Sequence, residues 1–333
     1  MNLPTLSDLD LKNQVVLVRA DLDGPSRLKF LTPLLVKLIE SEASKIIIIG
    51  HAGRPNGLDP TFSLEPLTKH FSGTLHIPVE FLKDILDVID SSTKLILIEN
   101  LRYHSEEEAN DPAFAARFAN LADIYVNEAF ATSHREHASI VALPKAMIAL
   151  GKKVALGPYF VSETENLDKA LVNPAKPVIT LLSGVKKDKL DYLEGFINIS
   201  DQVLIAGRLP EYLDENYQNP KVLVGKLMPD KEDITINSIE KFEEMVKSAG
   251  TIIVSGPLGK FEEPGHRLST ERVFQAIVAN NKALKLAGGG DTSQALTELN
   301  LSESFNWIST GGGAMLHYLT HHSLPAIEAL SSN

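Results

Sequence analysis

Short, unbroken aliphatic runs recur along this chain, each parted from the next by a stretch with helical spacing. VVLVRA (15–20), KIIIIG (45–50), KLILIE (94–99) and DIYVNE (123–128) occupy the first half. VITLLSG (178–184), QVLIAG (202–207), KVLV (221–224), TIIVSG (251–256), LKLAGG (284–289) and NWISTG (306–311) follow. A run that is apolar at nearly every position has no polar face to give to water. It suits a strand covered on both sides, as in a parallel sheet. Between the runs lie LKFLTPLLVKLIESE (28–42), DPAFAARFANL (111–121), SIEKFEEMVKSA (238–249) and TERVFQAIVANN (270–281), which read as helices. Strands and helices in alternation define an α/β fold.

Ten strands would make a large open sheet, so two sheets are expected. The division falls at 150–175, where GPYFVSETENLDKALVNPAKP (157–177) reads as a helix that opens after Gly157-Pro158 and stops at Asn173-Pro174. A chain of 333 residues, 44% of them hydrophobic, is long enough for two cores. Its net charge of −11 argues against a general nucleic-acid surface. The absence of cysteine excludes disulfides, thiol catalysis and Cys-ligated metals. MNLPTLSDLDLKNQ at the start has no apolar signal core, and no aliphatic run is long enough to span a bilayer. A cytoplasmic protein without a membrane partner is expected.

Two strand runs end on glycine triplets, LAGGGDTSQAL (286–296) and ISTGGGAML (308–316). A structural account makes each a strand-to-helix turn, with Asp291 or Thr292 capping the helix after the first. A functional account notes that bare backbone N–H groups at a helix N-terminus form an anion site, typically for phosphate. Lysines in SGVKKDK (183–189) and the loop SGPLGKFEE (255–263) would suit a polyphosphate, and Asp291 would hold Mg²⁺ through its carboxylate. The chain has no G-x-x-x-x-G-K-[ST] and no G-x-G-x-x-G after an early strand. Neither a P-loop enzyme nor a dinucleotide dehydrogenase is supported.

The first half sets basic residues just beyond its strands. Arg19 and Asp21 close the first run and Arg27 follows it; His51 and Arg54 follow the second, Arg102 and His104 the third, and His134, Arg135 and His137 the fourth. Singly, each reads as a surface or capping residue. Together, in an acidic chain, they read as a local pocket in which arginine forks meet carboxylate or phosphate. His134 with His137, and His321 with His322, match no zinc pattern. An anion pocket in one half and a Mg-polyphosphate site in the other suit phosphoryl transfer.

These residues lie in strings that resemble the phosphoglycerate kinase family along nearly the whole chain. In order they are VLVRADLDGP, GHAGRP, FSLEPL, LIENLRYHSEEEANDP, DIYVNEAFATSHREHAS, LDKALVNPAKPVITLLSG, IIVSGPLGKFE, LAGGGDTSQAL, ISTGGGAMLHYL and LPAIEAL. The resemblance implies two Rossmann-like domains with parallel sheets, joined by a helix, with a cleft between them. Residues 1–155 would bind 3-phosphoglycerate, with the tail 319–333 packing back on them, and 156–318 would bind nucleotide. The implied reaction is reversible phosphoryl transfer between 1,3-bisphosphoglycerate and Mg-ADP, in glycolysis and gluconeogenesis, by a monomer.

Carried over by residue, the acid substrate would meet Asp21, Asp23, Arg27, the loop His51 to Arg54, Arg102 and Arg135. Arg27, Lys186, Lys189, Gly290 and Gly313 would act on the moving phosphoryl group, with Gly311 to Gly313 aiming backbone donors at it. Gly184, Lys189, Pro257, Glu262, Gly289, Gly290, Asp291 and Thr292 would hold the nucleotide, and Asp291 its Mg²⁺. The chain also departs from the family's strings. VDFNVP is ADLDGP here, which places Asp23 where an asparagine is usual, and the residues that normally separate that motif from the following arginine, here Arg27, are largely deleted. GGAKVxDK is shortened to SGVKKDK, GGGMA to AGRLP (206–210), and DIGP becomes DITI (233–236). NDAFG reads NEAFA and WNGP reads VSGP. Retained phosphate-handling residues favour an active enzyme. The eroded nucleotide loops keep open a non-catalytic paralogue that binds a ligand or partner.

Overall fold

The structure is a computed structural model that describes residues 4–331. Ten strands fall on the ten apolar runs: β1 (Val15–Arg19), β2 (Lys45–Ile49), β4 (Leu95–Ile98), β5 (Ile124–Asn127), β7 (Val178–Leu182), β8 (Gln202–Ile205), β9 (Val222–Val224), β10 (Thr251–Ser255), β11 (Leu284–Gly288) and β12 (Trp307–Ser309). Two more, β3 (Val79–Leu82) and β6 (Lys153–Leu156), were not read from the sequence. Both are edge strands. Every residue of β3 is only half-buried, and β6 opens on an exposed lysine, so neither carries a long apolar run.

The strands form two six-stranded sheets, ordered β3-β4-β2-β1-β5-β6 and β12-β11-β10-β7-β8-β9. Every pairing in both is parallel. The chain divides into two units, one reaching to Glu163 and resuming at Ser323, the other running from Thr164 to His322. The helix Pro158–Asp168 runs across the first limit, and the helix Gly312–His321 ends just before the second.

Each unit has its own core. In the first, Val16, Val18, Ile46, Ile48, Leu95, Leu97, Ile124 and Val126 share a sheet face with Leu28, Leu31, Leu34, Leu35 and Leu38 of the helix Pro25–Glu40. The intervening Leu17, Ile47, Ile96 and Tyr125 are equally buried, so both faces are covered. The second core gathers Leu181, Leu204, Ile252 and Val254 with Phe242, Phe274 and Ile277 from helices Ile236–Ser248 and Leu268–Ala279.

Sheet order locates the sites. The first sheet reverses its winding between β1 and β5, the second between β7 and β10. Open α/β sheets bind ligands beyond the carboxyl ends of the strands at such a reversal. The loops after β1, β2, β4 and β5, and those after β7, β10, β11 and β12, carry the residues singled out in the sequence.

Candidate active site

In the first unit, Arg19 ends β1 fully buried, donating from Nε to Ser139 Oγ (2.7 Å) and pairing through Nη2 with His51 Nδ1 (2.8 Å). Burial, then the charges of Arg19 and Arg102, hold His51 well below the ordinary histidine range. The same causes bring His137 down to about 3, so both rings are neutral near pH 7. Arg102, buried after β4, donates from Nη1 to the Gly53 carbonyl (2.5 Å) and sets Nε 3.2 Å from Glu108. Its buried Nη2 meets no hydrogen-bond partner among the described residues.

Arg135 is half-buried after β5, and Arg54 is exposed after β2. Burial first, and then neighbouring guanidinium charge, lowers both Arg102 and Arg135. Arg19, Arg54, Arg102 and Arg135 therefore feel one another, with Glu108 and Asp23 as the opposing carboxylates. Cations crowded this way beside an unpaired guanidinium nitrogen have the chemistry to receive an anion.

Arg27 lies in the first turn of the helix Pro25–Glu40, its Nη1 3.0 Å from Asp21 and 3.9 Å from Asp23. Burial raises the Asp21 carboxyl while Arg27 opposes the shift. Asp23 has a second task that its sequence position does not reveal: its Oδ1 accepts the Gly53 N–H at 3.1 Å. It thereby ties the β1 loop to the His51–Arg54 loop. Gly53 has φ +63°, and a Cβ there would stand 2.2 Å from the Phe62 ring, so this loop admits only glycine.

In the second unit Lys189 is the centre. Its Nζ donates to Ser183 O (2.5 Å) and Ser255 O (3.3 Å), the carbonyls at the ends of β7 and β10. A Cβ on Gly184 or Gly256 would come within 3.0 and 2.8 Å of that Nζ, and both glycines have positive φ. The ammonium thus rests on bare backbone at the winding reversal. Burial lowers its pKa to about 8, and nearby Asp291 opposes the shift. Lys186 is exposed, Pro257 O accepts the Ser183 hydroxyl (2.6 Å), and Glu262 is exposed on the loop after β10.

The glycine triplets start two helices, Gly290–Glu298 and Gly312–His321, after the neighbouring strands β11 and β12. Gly289 and Gly311 are the N-caps. Capping by Asp291 or Thr292 is not realised. Asp291 is exposed in the first turn, and Thr292 Oγ1 donates to Gly288 O (2.9 Å) and accepts from Gly256 N–H (2.8 Å). The triplets also meet, since a Cβ on Gly312 would lie 2.7 Å from Gly289 Cα. Gly290 differs, because a Cβ there would touch nothing within 4 Å. Gly313 is exposed one residue further along its helix.

Gly256 and the buried pair Glu107 and Ser139 escaped the reading from sequence. A signal for Gly256 was present, because VITLLSG, QVLIAG and TIIVSG all end in glycine. Glu107 sits in SEEE and reads as a solvated helix start, yet it is fully buried.

The sequence matches the profile described as "Phosphoglycerate kinase" over residues 6–216 and 215–322. It is 32% identical to the phosphoglycerate kinase of Dictyoglomus turgidum, covering 98% of this chain and 97% of that protein. It is 31% identical to that of Solibacter usitatus, covering 99% and 100%. The first alignment runs over 391 positions against 333 residues here, so that relative carries segments this chain lacks. Phosphoglycerate kinase from Coxiella burnetii superposes with a TM-score of 0.83 at 28% identity, covering 99% of both chains. The enzyme from Pyrococcus horikoshii gives 0.79 at 25%, covering 98% of both.

Proposed function

The chain belongs to the phosphoglycerate kinase family, and from that premise we propose how its residues divide the reaction. It is a phosphotransferase that moves a phosphoryl group reversibly between the carboxyl end of 1,3-bisphosphoglycerate and ADP. In our reading the first unit takes the glycerate substrate and the second takes the nucleotide. The observation that carries this is chemical: one unit gathers guanidinium groups short of counter-charge, and the other sets Lys189 over backbone stripped of side chains.

Arg54, Arg102 and Arg135 would bind and orient 3-phosphoglycerate, with His51 as a neutral hydrogen-bonding group. Asp21 would aim Arg27, whose guanidinium would meet the charge that develops on the transferring group. Lys189 and Lys186 would neutralise nucleotide phosphates, and the N–H groups from Gly289, Gly290 and Gly311 to Gly313 would donate to phosphoryl oxygens. Gly184, Pro257 and Thr292 would shape that cradle, and Glu262 would hold the ribose.

Asp291 fits a metal delivered with the nucleotide. It is one exposed carboxylate, and among the described residues no three His, Asp or Glu side chains converge on an ion site. Mg²⁺ commonly binds through one or two carboxylates plus substrate phosphates, and would neutralise charge on the polyphosphate when bound. No helix among the described residues is long and apolar enough to cross a membrane. We place the enzyme in the cytoplasm, as a monomer.

A coupled assay with 3-phosphoglycerate and Mg-ATP tests the reading. Turnover is the expected result. Binding of either compound without turnover would return the case to a non-catalytic paralogue.

A further inference from the structure

Beneath the arginine cluster runs a chain of buried polar groups: Glu107, Ser139, Arg19 and His51, all 3% exposed or less. Glu107 accepts twice from Ser139, at Oε2 from the backbone N–H (2.9 Å) and at Oε1 from the hydroxyl (2.5 Å). Ser139 Oγ in turn accepts from Arg19 Nε at 2.7 Å. The Ser139 carbonyl is held by the Tyr125 hydroxyl at 2.8 Å. At the far end Arg19 Nη2 meets His51 Nδ1 at 2.8 Å.

The direction of every hydrogen in this chain is forced. Guanidinium nitrogens donate and cannot accept. Ser139 Oγ must therefore receive from Arg19, and its single hydrogen is left to point at Glu107. Glu107 takes one donor at each carboxyl oxygen. His51 Nδ1 must accept, so the hydrogen of the neutral ring sits on Nε2. The relay also answers a problem of charge. Arg19 is a fully buried cation whose hydrogen-bond partners Ser139, Ala20 O and His51 are neutral, and Glu107 is the fully buried carboxyl group one hydroxyl away.

We infer that Glu107 is a positioning residue: through Ser139 it holds the Arg19 guanidinium against His51 Nδ1, and Arg19 in that place keeps His51 an Nε2–H donor for the acid substrate. The inference rests on the assignment of His51 to the 3-phosphoglycerate site. It explains why a carboxylate inside a run of three glutamates is buried while Glu106 and Glu108 remain exposed.

The relay predicts its own disruption. Glu107→Gln preserves shape but replaces one acceptor by an amide donor. Ser139 still offers two hydrogens to that side, so one is orphaned, or the hydroxyl turns and opposes Arg19. Long-range nitrogen–proton NMR of the full-length wild type is expected to show the Nε2–H tautomer at His51. The Nδ1–H tautomer there would overturn the inference without any variant.

In E107Q an Arg19 no longer held at Nε should leave His51 Nδ1 for part of the time, so the His51 signals should shift toward mixed tautomers, and KM for 3-phosphoglycerate should rise about tenfold. kcat and KM for Mg-ATP should be nearly unchanged. Glu107→Asp should restore part of the effect, and Ser139→Ala, which cuts the relay at another link, should reproduce it. Unchanged tautomer and KM in folded E107Q or S139A would refute the positioning role. A wild type that fails to bind 3-phosphoglycerate while showing the Nε2–H tautomer would instead remove the functional assignment of His51.

Discussion

Three residues of the second unit separate chemistry from architecture. Lys189 is half-buried, with a pKa lowered to about 8 from an ordinary 10.5. Between those values the unfolded chain holds a proton that the folded chain has released, so this lysine makes stability rise with pH there. Its proposed work needs the ammonium, so kcat/KM for the nucleotide should fall as pH climbs through about 8. The two trends have opposite signs, and a pH series of denaturation midpoints beside kcat/KM checks both. The glycines give a second contrast. Gly290→Ala meets open space and should leave the melting temperature almost unmoved while lowering kcat/KM for Mg-ATP. Gly312→Ala drives a methyl group onto the Gly289 backbone and should destabilise the fold itself. Equal effects of the two on stability would remove the argument for Gly290 as a ligand-facing position. Little of this was legible in the sequence. GGG announces bare backbone without saying which glycine serves a ligand and which serves a neighbouring loop, and only spatial neighbours distinguish them.

Strands, by contrast, were legible wherever both of their faces are buried, because burial on two sides writes a continuous apolar run. β1, β2, β4 and β5 are of this kind, whereas β3 is half-buried throughout and β6 is a short edge strand that opens on an exposed lysine. Loops are another matter, since their contacts are non-local. Asp23 binds Gly53 thirty residues away, and nothing in ADLDGP or GHAGRP signals that bond. Asp23→Asn keeps an acceptor for Gly53 N–H and removes a negative charge 3.9 Å from Arg27. It should tighten 3-phosphoglycerate a few-fold, an effect of the size of one exposed ion pair. Asp23→Ala frees the loop and should weaken binding instead. Titration calorimetry of the pair decides the point, and identical affinities would deny the tether any role.

For the molecule as a whole, the return of the chain to its first unit matters most. Leu324, Ile327 and Leu330 are buried there, and Ala326 N–H donates to the Ser133 carbonyl at 3.3 Å, two residues from Arg135. Three large aliphatic side chains contribute on the order of 5 kcal/mol by burial. Truncation after His322 should therefore lower the unfolding temperature of the first unit and loosen the Arg135 loop. A calorimetric trace matching the full chain would contradict this.

Because the strands and helices of one unit lie between two parts of the other, synthesis and completion run in opposite orders. The ribosome makes most of the first unit, then all of the second, and only afterwards the helix Pro325–Leu330. The segment made first waits longest for its final piece, with the helix Ala142–Ala149, against which Pro325–Leu330 packs, lacking its full cover meanwhile. A nascent chain stalled with Ser323 just outside the exit tunnel should carry a protease-resistant second unit beside a first unit that is still cut. Release of the next few residues should close that difference. The unit begun later would then be the earlier to mature, and chaperones that shield apolar surface would be needed chiefly by the one begun first.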